Sequence, residues 1–154
     1  MNAERRTSES GPVVFAYDGS ELAKLAIDRA GKLLGGGREA VAVTVWQPFN
    51  VGFVPVGPIQ FDAAEIGEVR RAAQQSAAEG AGLAEAAGFR AEGVEIEGAP
   101  AWKKIVELAD QRDSALIVLG SHGRSGIAEV LVGSVAGAVA AHARRSVLIA
   151  HRGS

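Results

Sequence analysis

The chain contains no cysteine, which excludes a disulfide framework, a thiolate zinc site and a thiol nucleophile. Aromatic residues make up only 5% of its 154 residues, too few to build an aromatic stacking platform. An excess of one charge is missing too. The 18 acidic residues nearly balance the 16 basic ones, for a net charge of −2. That leaves no basic footprint for nucleic acid or for a polybasic membrane contact. No apolar run reaches the length needed to span a membrane. The first eleven residues are polar and mixed in charge, and the apolar stretch Val13 to Tyr17 runs directly into a turn at Asp18-Gly19-Ser20. A secretory leader would instead end in a small-residue cleavage site. These features read as a cytoplasmic protein with a disordered tail over residues 1–11 and one domain over residues 12–152.

What the chain does have is a 47% apolar fraction and 20 glycines. Val13–Tyr17 is a continuous apolar run, as in a strand buried on both faces. Ser20 is placed as a helix N-cap, and Leu22, Leu25, Ala26, Ala30, Leu33 and Leu34 recur at helical spacing. Gly35-Gly36-Gly37 stops that helix. Val41, Val43 and Val45 predict a second strand ending near Trp46. A loop with three prolines follows over residues 47–61. The spacing then predicts a long helix from about Asp62 to Ala87, with Ile66, Val69, Ala73, Ala77 and Ala84 facing inward. Gly67, Gly80 and Gly82 weaken it.

Phe89 to Ile96 predicts a third strand, whose glutamates suit an edge position. A helix is predicted over 101–111 with Trp102, Ile105, Val106 and Ala109 on one face. Ala115–Leu119 predicts a fourth strand. A glycine-rich connection leads to a helix opening at Ser134, with a stripe of Val135, Ala138, Val139 and His142. Ser146–Ala150 predicts a fifth strand. This alternation implies a mostly parallel sheet with helices on both faces. In such sheets ligands bind at the carboxyl ends of strands.

Two strand ends carry unusual chemistry. Asp18-Gly19-Ser20 follows the first strand, where Asp18 reads equally as a turn former. After the fourth comes Gly120-Ser121-His122-Gly123-Arg124-Ser125-Gly126, and then Gly133-Ser134. Glycine permits close backbone approach and positive φ, so consecutive N–H groups at Gly123 and Gly126 can converge on phosphate oxygens. Gly133-Ser134 begins a helix, whose free N–H groups and dipole favour an anion. Ser134 can act as cap or phosphate donor. Neither a Walker-type lysine motif nor a dinucleotide fingerprint is present.

The spacing Gly120-x2-Gly123-x9-Gly133-Ser134, with Asp18-Gly19-Ser20 and the terminal Ser146–Ala150 run, resembles the signature of universal stress proteins. The resemblance covers almost the whole chain. It implies a Rossmann-like α/β fold with a five-stranded parallel sheet of order 3-2-1-4-5. It also implies ATP at the ends of strands one, two and four. Carried over, Asp18 would hold the ribose or adenine side, and Ala16 and Val45 would line the adenine pocket. Leu119 and Gly120 would lie along the nucleoside. Gly123, Arg124, Ser125, Gly133, Ser134 and Val135 would surround the phosphates, which would carry Mg2+ or Mn2+. Ala16 departs from the proline common among ATP-binding members. The family commonly forms a homodimer through the last strand.

The expected function is therefore an ATP-binding, nucleotide-responsive module of the stress response with an unknown protein partner. Alternatives are a slow ATP hydrolase, or an interaction protein using another nucleotide such as cyclic AMP. The only candidate base for hydrolysis is His122, and it has no identifiable carboxylate partner. Trp46 and Trp102 read as packing residues, and the 47–61 loop as either a lid or a packed surface.

Overall fold

Residues 9–48, 63–123 and 132–152 are described in the computed structural model of the chain. The strands are β1 (Val13–Ala16), β2 (Glu39–Trp46), β3 (Arg90–Glu97), β4 (Leu116–Gly120) and β5 (Ser146–Ala150). The helices between them are α1 (Glu21–Leu34), α2 (Ala63–Ala86), α3 (Ala101–Gln111) and α4 (Ser134–His142). The sheet order is β3-β2-β1-β4-β5, and every pairing is parallel. The predicted architecture and order are those observed.

The sheet is buried by two separate cores. Alternate residues of each strand point to opposite faces, so Val13, Phe15 and Tyr17 join α1 and α2. Val14 and Ile117 join α3 and α4 on the other side, with Ala16 and Val45 packed against them. On the first face the Phe15 and Phe89 rings meet edge to face, with centroids 5.2 Å apart. β3 is the edge strand and most of its side chains are exposed or half-buried, which explains its glutamates.

Helix α1 begins as its sequence dictates. Ser20 has extended backbone, and its hydroxyl accepts from the Ala23 N–H at 3.2 Å. It ends at Gly35, whose φ of 74° is a left-handed conformation that glycine adopts without strain.

Helix α2 runs unbroken through Gly67, Gly80 and Gly82. Gly80 is not a weakness. A side chain there would place Cβ 2.8 Å from Tyr17 Cγ and 3.1 Å from Ala42 Cβ. The helix lies so close to the sheet because Gly80 has no side chain. Gly93 of β3 makes the reciprocal approach, since a Cβ there would lie 2.6 Å from the Ala77 carbonyl oxygen. Ile66 and Val69, expected inside, are only half-buried; the seam is made by Ala73, Ala77, Gly80, Ala81 and Ala84.

In α3 the expected face of Trp102, Ile105, Val106 and Ala109 packs on the second core, joined by Leu108, with Trp102 and Val106 half-buried. The stripe expected in α4 is corrected. In α4 the buried stripe is Ala136 and Val139; Val135 is 38% exposed and His142 is also exposed. The helix is rotated about one residue from the expected stripe, and His142 stacks on Trp102 with centroids 4.4 Å apart.

Candidate functional site

The carboxyl ends of β1 and β4 lie side by side at the centre of the sheet. β1 delivers Asp18, which is half-buried, and a turn locks it in place. Asp18 Oδ1 accepts from the Ser20 N–H at 2.9 Å, so the same residue closes the turn and aims its second oxygen elsewhere. The preceding Tyr17 is held on all sides. Its N–H donates to the Val43 carbonyl at 2.9 Å, and its carbonyl accepts from Thr44 Oγ1 at 2.9 Å. Its hydroxyl donates to Glu79 at 2.5 Å. Burial, with Glu79 beside it, holds the Tyr17 phenol well above the usual range, so it stays a neutral donor.

The glycines after β4 divide by what fills the space of their missing side chains. At Gly120 a Cβ would meet Leu22 Cβ at 2.8 Å and the Leu22 carbonyl carbon at 2.9 Å. That glycine lets the first turn of α1 close onto β4. At Gly123 a Cβ would lie 2.6 Å from Asp18 Oδ2. The expected positive φ is absent at Gly123, and Gly126, where it is also expected, lies outside the described residues. Gly123 is glycine because the Asp18 carboxylate occupies the space beside it. At Gly133 a Cβ would lie 2.9 Å from the Ser121 carbonyl oxygen and 3.4 Å from His122 Nδ1. The Gly133 N–H donates to that Ser121 carbonyl at 2.5 Å, which pins the start of α4 against the end of β4.

The cap of α4 differs from expectation. Gly133 is the N-cap and Ser134 the first helical residue, so the cap residue itself has no side chain to bond the first-turn N–H groups. Ser134 is exposed and stands one position inside the cap, and the first-turn N–H groups have no partner within the helix itself. No acidic residue stands in that turn to oppose an anion. Beside it, His122 Nδ1 is buried and has no hydrogen-bond partner.

The structure therefore brings Asp18 and Gly123 into contact, and Gly133 against Ser121 and His122. Ala16, Val45 and Leu119 share the α3–α4 face of the sheet. Leu119 is buried there, so only its backbone can face a ligand. Arg124, Ser125 and Gly126 lie outside the described residues, as does residue range 49–62 of the proline-bearing connection. Trp46 faces the opposite side from Val45 and donates its indole N–H to Glu95. Glu95 also accepts from Arg70 Nε at 2.8 Å. Burial raises the Glu95 carboxyl, but the Trp46 and Arg70 hydrogen bonds outweigh it and leave it below the usual carboxylate range.

Sequence reasoning missed the His122–Gly133 approach. Eleven positions separate them through an irregular connection, and no periodicity reports such a contact. Two concavities of about 630 and 460 Å3 open at the other end of the sheet, where the strands begin. Charged side chains such as Glu92, Arg112 and Arg145 rim them, and Glu92 pairs with Arg112 at 2.6 Å. Among the described residues, no three metal-ligating side chains cluster, and no helix is long and apolar enough to cross a membrane.

Residues 10–151 match the model of the universal stress protein family. The chain belongs to the universal stress protein family. Solved relatives agree in fold. A universal stress protein crystallised in complex with cAMP is 32% identical, with a TM-score of 0.63 over 93% of this chain and 98% of that one. A family member from Burkholderia pseudomallei is 21% identical, with a TM-score of 0.67 over 92% of this chain and 96% of that one. The universal stress protein from Archaeoglobus fulgidus in complex with dAMP is also 21% identical, with a TM-score of 0.59 over 92% and 98%. At those identities the last two bear on the fold alone. No curated protein matches the chain.

Proposed function

We propose that this universal stress protein is a cytoplasmic module that reversibly binds an adenine nucleotide, ATP, at the carboxyl ends of β1, β2 and β4. The observation that carries the reading is the meeting of three features at one corner: Asp18, Gly123 and the start of α4 at Gly133. Chemistry orients the ligand across them. A carboxylate repels phosphate but accepts from hydroxyl groups, so Asp18 suits the ribose. The α4 N–H groups suit the phosphates. Ala16 and Val45, half-buried on the same sheet face, offer an apolar bed for adenine. Arg124, Ser125, Gly133, Ser134 and Val135 complete the phosphate side, and Mg2+ or Mn2+ is carried by the phosphates. The relative crystallised with cAMP supports an adenine nucleotide as the ligand class.

Binding changes the surface offered to a partner protein. A second copy pairs through the outer edge of β5, the sheet's other edge strand. Two measurements test the reading. Mass spectrometry of the purified protein identifies any carried ligand, and calorimetric titration with Mg-ATP measures affinity. A nucleotide that co-purifies or binds supports the proposal; absence of both overturns it. Sedimentation velocity should give a species of twice the 15.8 kDa chain mass. A monomer would remove the β5 pairing.

A further inference from the structure

The end of β1 is held by a side chain of the neighbouring strand. β1 pairs with β4 as far as Phe15 and with β2 as far as Ala16, so Tyr17 and Asp18 project beyond the ladder. The Tyr17 N–H still donates to the Val43 carbonyl at 2.9 Å. The Tyr17 carbonyl accepts instead from Thr44 Oγ1 at 2.9 Å, and both residues are buried. Thr44 is out of place by composition. It follows Ala40 and Ala42 on one face of β2, the face on which Gly80 lets α2 close onto Ala42. A hydroxyl buried on an apolar face is costly unless it is hydrogen-bonded. Here the bond it makes is to the peptide that carries Asp18.

We propose that Thr44 is a positioning residue that sets the site's preference for a ligand with ribose hydroxyl groups. The inference rests on the nucleotide reading above and deepens it. Thr44 shares the α2-covered face with Ala42, whereas Ala16 and Val45 lie on the α3–α4 face, so Thr44 acts on the ligand only through another residue. That residue is Asp18. The Tyr17 carbonyl and the Asp18 N–H belong to one planar peptide, so the bond from Thr44 fixes the plane from which Asp18 projects.

Both flanks of that peptide are anchored independently. On one side the Tyr17 ring fills the space that Gly80 leaves open, and its hydroxyl donates to Glu79. On the other, Asp18 Oδ1 accepts from the N–H of Ser20, the cap of α1. The peptide between them is the remaining joint, and the Thr44 hydroxyl closes it. Without that hydroxyl the Tyr17 carbonyl is left buried and unpaired, and the peptide turns toward another donor. Asp18 Oδ2, which stands beside Gly123, turns with it. The loss falls on the hydroxyl groups that Asp18 accepts from. Contacts to adenine and phosphate, made by other elements, are kept.

The test titrates ATP and 2′,3′-dideoxy-ATP, which lacks both ribose hydroxyls, into wild type, Thr44→Val and Thr44→Ser. Valine keeps the shape and loses the donor; serine keeps the donor and loses a methyl group. Both changes lower the melting temperature. Wild type should prefer ATP by about 10- to 100-fold, the effect of hydrogen bonds to a carboxylate. Thr44→Val should cut that preference about tenfold, through a higher Kd for ATP, and Thr44→Ser should keep it. Thr44→Ala, a second variant without the hydroxyl, should follow Thr44→Val. A merely structural role would weaken both ligands alike. That result, an unchanged preference in Thr44→Val, or an equal loss in Thr44→Ser would overturn the inference while leaving the nucleotide site intact. Wild type that binds both ligands equally would take Asp18 off the ribose and overturn the inference with it. Absence of any binding to wild type would overturn the nucleotide reading as well.

Discussion

Replacing Gly120 and Gly123 separately by alanine should pull apart two properties that the motif joins. At Gly123 the added Cβ meets Asp18 Oδ2 at 2.6 Å. That oxygen is the end of a rotatable side chain, and the backbone is not left-handed, so the fold accommodates the methyl. The carboxylate turns away instead and no longer faces the ligand. A hydrogen bond involving a charged group contributes about 1.5–3 kcal/mol, so Kd for ATP should rise about 10- to 100-fold. The melting temperature should stay nearly constant.

At Gly120 the obstacle is the backbone of Leu22, with its carbonyl carbon at 2.9 Å and its oxygen at 3.1 Å. The first turn of α1 cannot rotate aside. Overpacking of that kind costs about 1–3 kcal/mol, and each kcal/mol lowers the melting temperature by about 2–4 °C at this chain length. Paired melting curves and ATP titrations read both quantities. A Gly123→Ala protein that binds ATP like wild type would refute the placement of Asp18 in the site. A Gly120→Ala protein that melts like wild type would refute the close packing of α1 on β4.

Further outcomes follow from the same geometry. Gly82 is exposed in α2 with nothing near its Cβ position, so Gly82→Ala should raise the melting temperature by about 2–4 °C through helix propensity. Gly80→Ala, with the same propensity gain, should lower it, because its Cβ meets Tyr17 and Ala42. Glu95 has a depressed folded-state pKa, so the stability it supplies is present above the unfolded carboxylate value and lost as pH falls through the folded one. Chemical unfolding from pH 6 to pH 3 should therefore show a shallower acid decline for Glu95→Gln than for wild type. Tyr17→Phe keeps the ring packing but loses the Glu79 hydrogen bond, and should lower stability by about 1–3 kcal/mol in urea unfolding.

The fold was legible because each strand carried its position in its composition. β1 and β4 read as unbroken apolar runs because helices cover both their faces, and β3 read as an edge because its glutamates reach solvent. Helix α1 was legible to the cap residue, since Ser20 and Gly35 act locally. What periodicity could not convey was contact at a distance. Gly80 looked like a flaw in a helix, and only Tyr17 and Ala42, far away in sequence, give it a purpose. The same holds at the candidate site. The glycine spacing drew attention to the stretch after β4, but positive φ was the wrong reason for Gly123. Its neighbour is Asp18, more than a hundred residues earlier. The α4 stripe was misread because a nine-residue helix of alanine and valine has almost no polar face to fix its rotation.

The central claim is that an adenine nucleotide sits across the carboxyl ends of β1 and β4 with its phosphates at the start of α4. Amide chemical shifts of isotope-labelled protein, followed during titration with Mg-ATP, test it most directly. The account predicts that the largest changes fall on Asp18, Gly123, Ser134, Val135 and Ala136. Changes confined to the other end of the sheet, around Glu39, Phe89 and Arg112, or no changes at all, would contradict it.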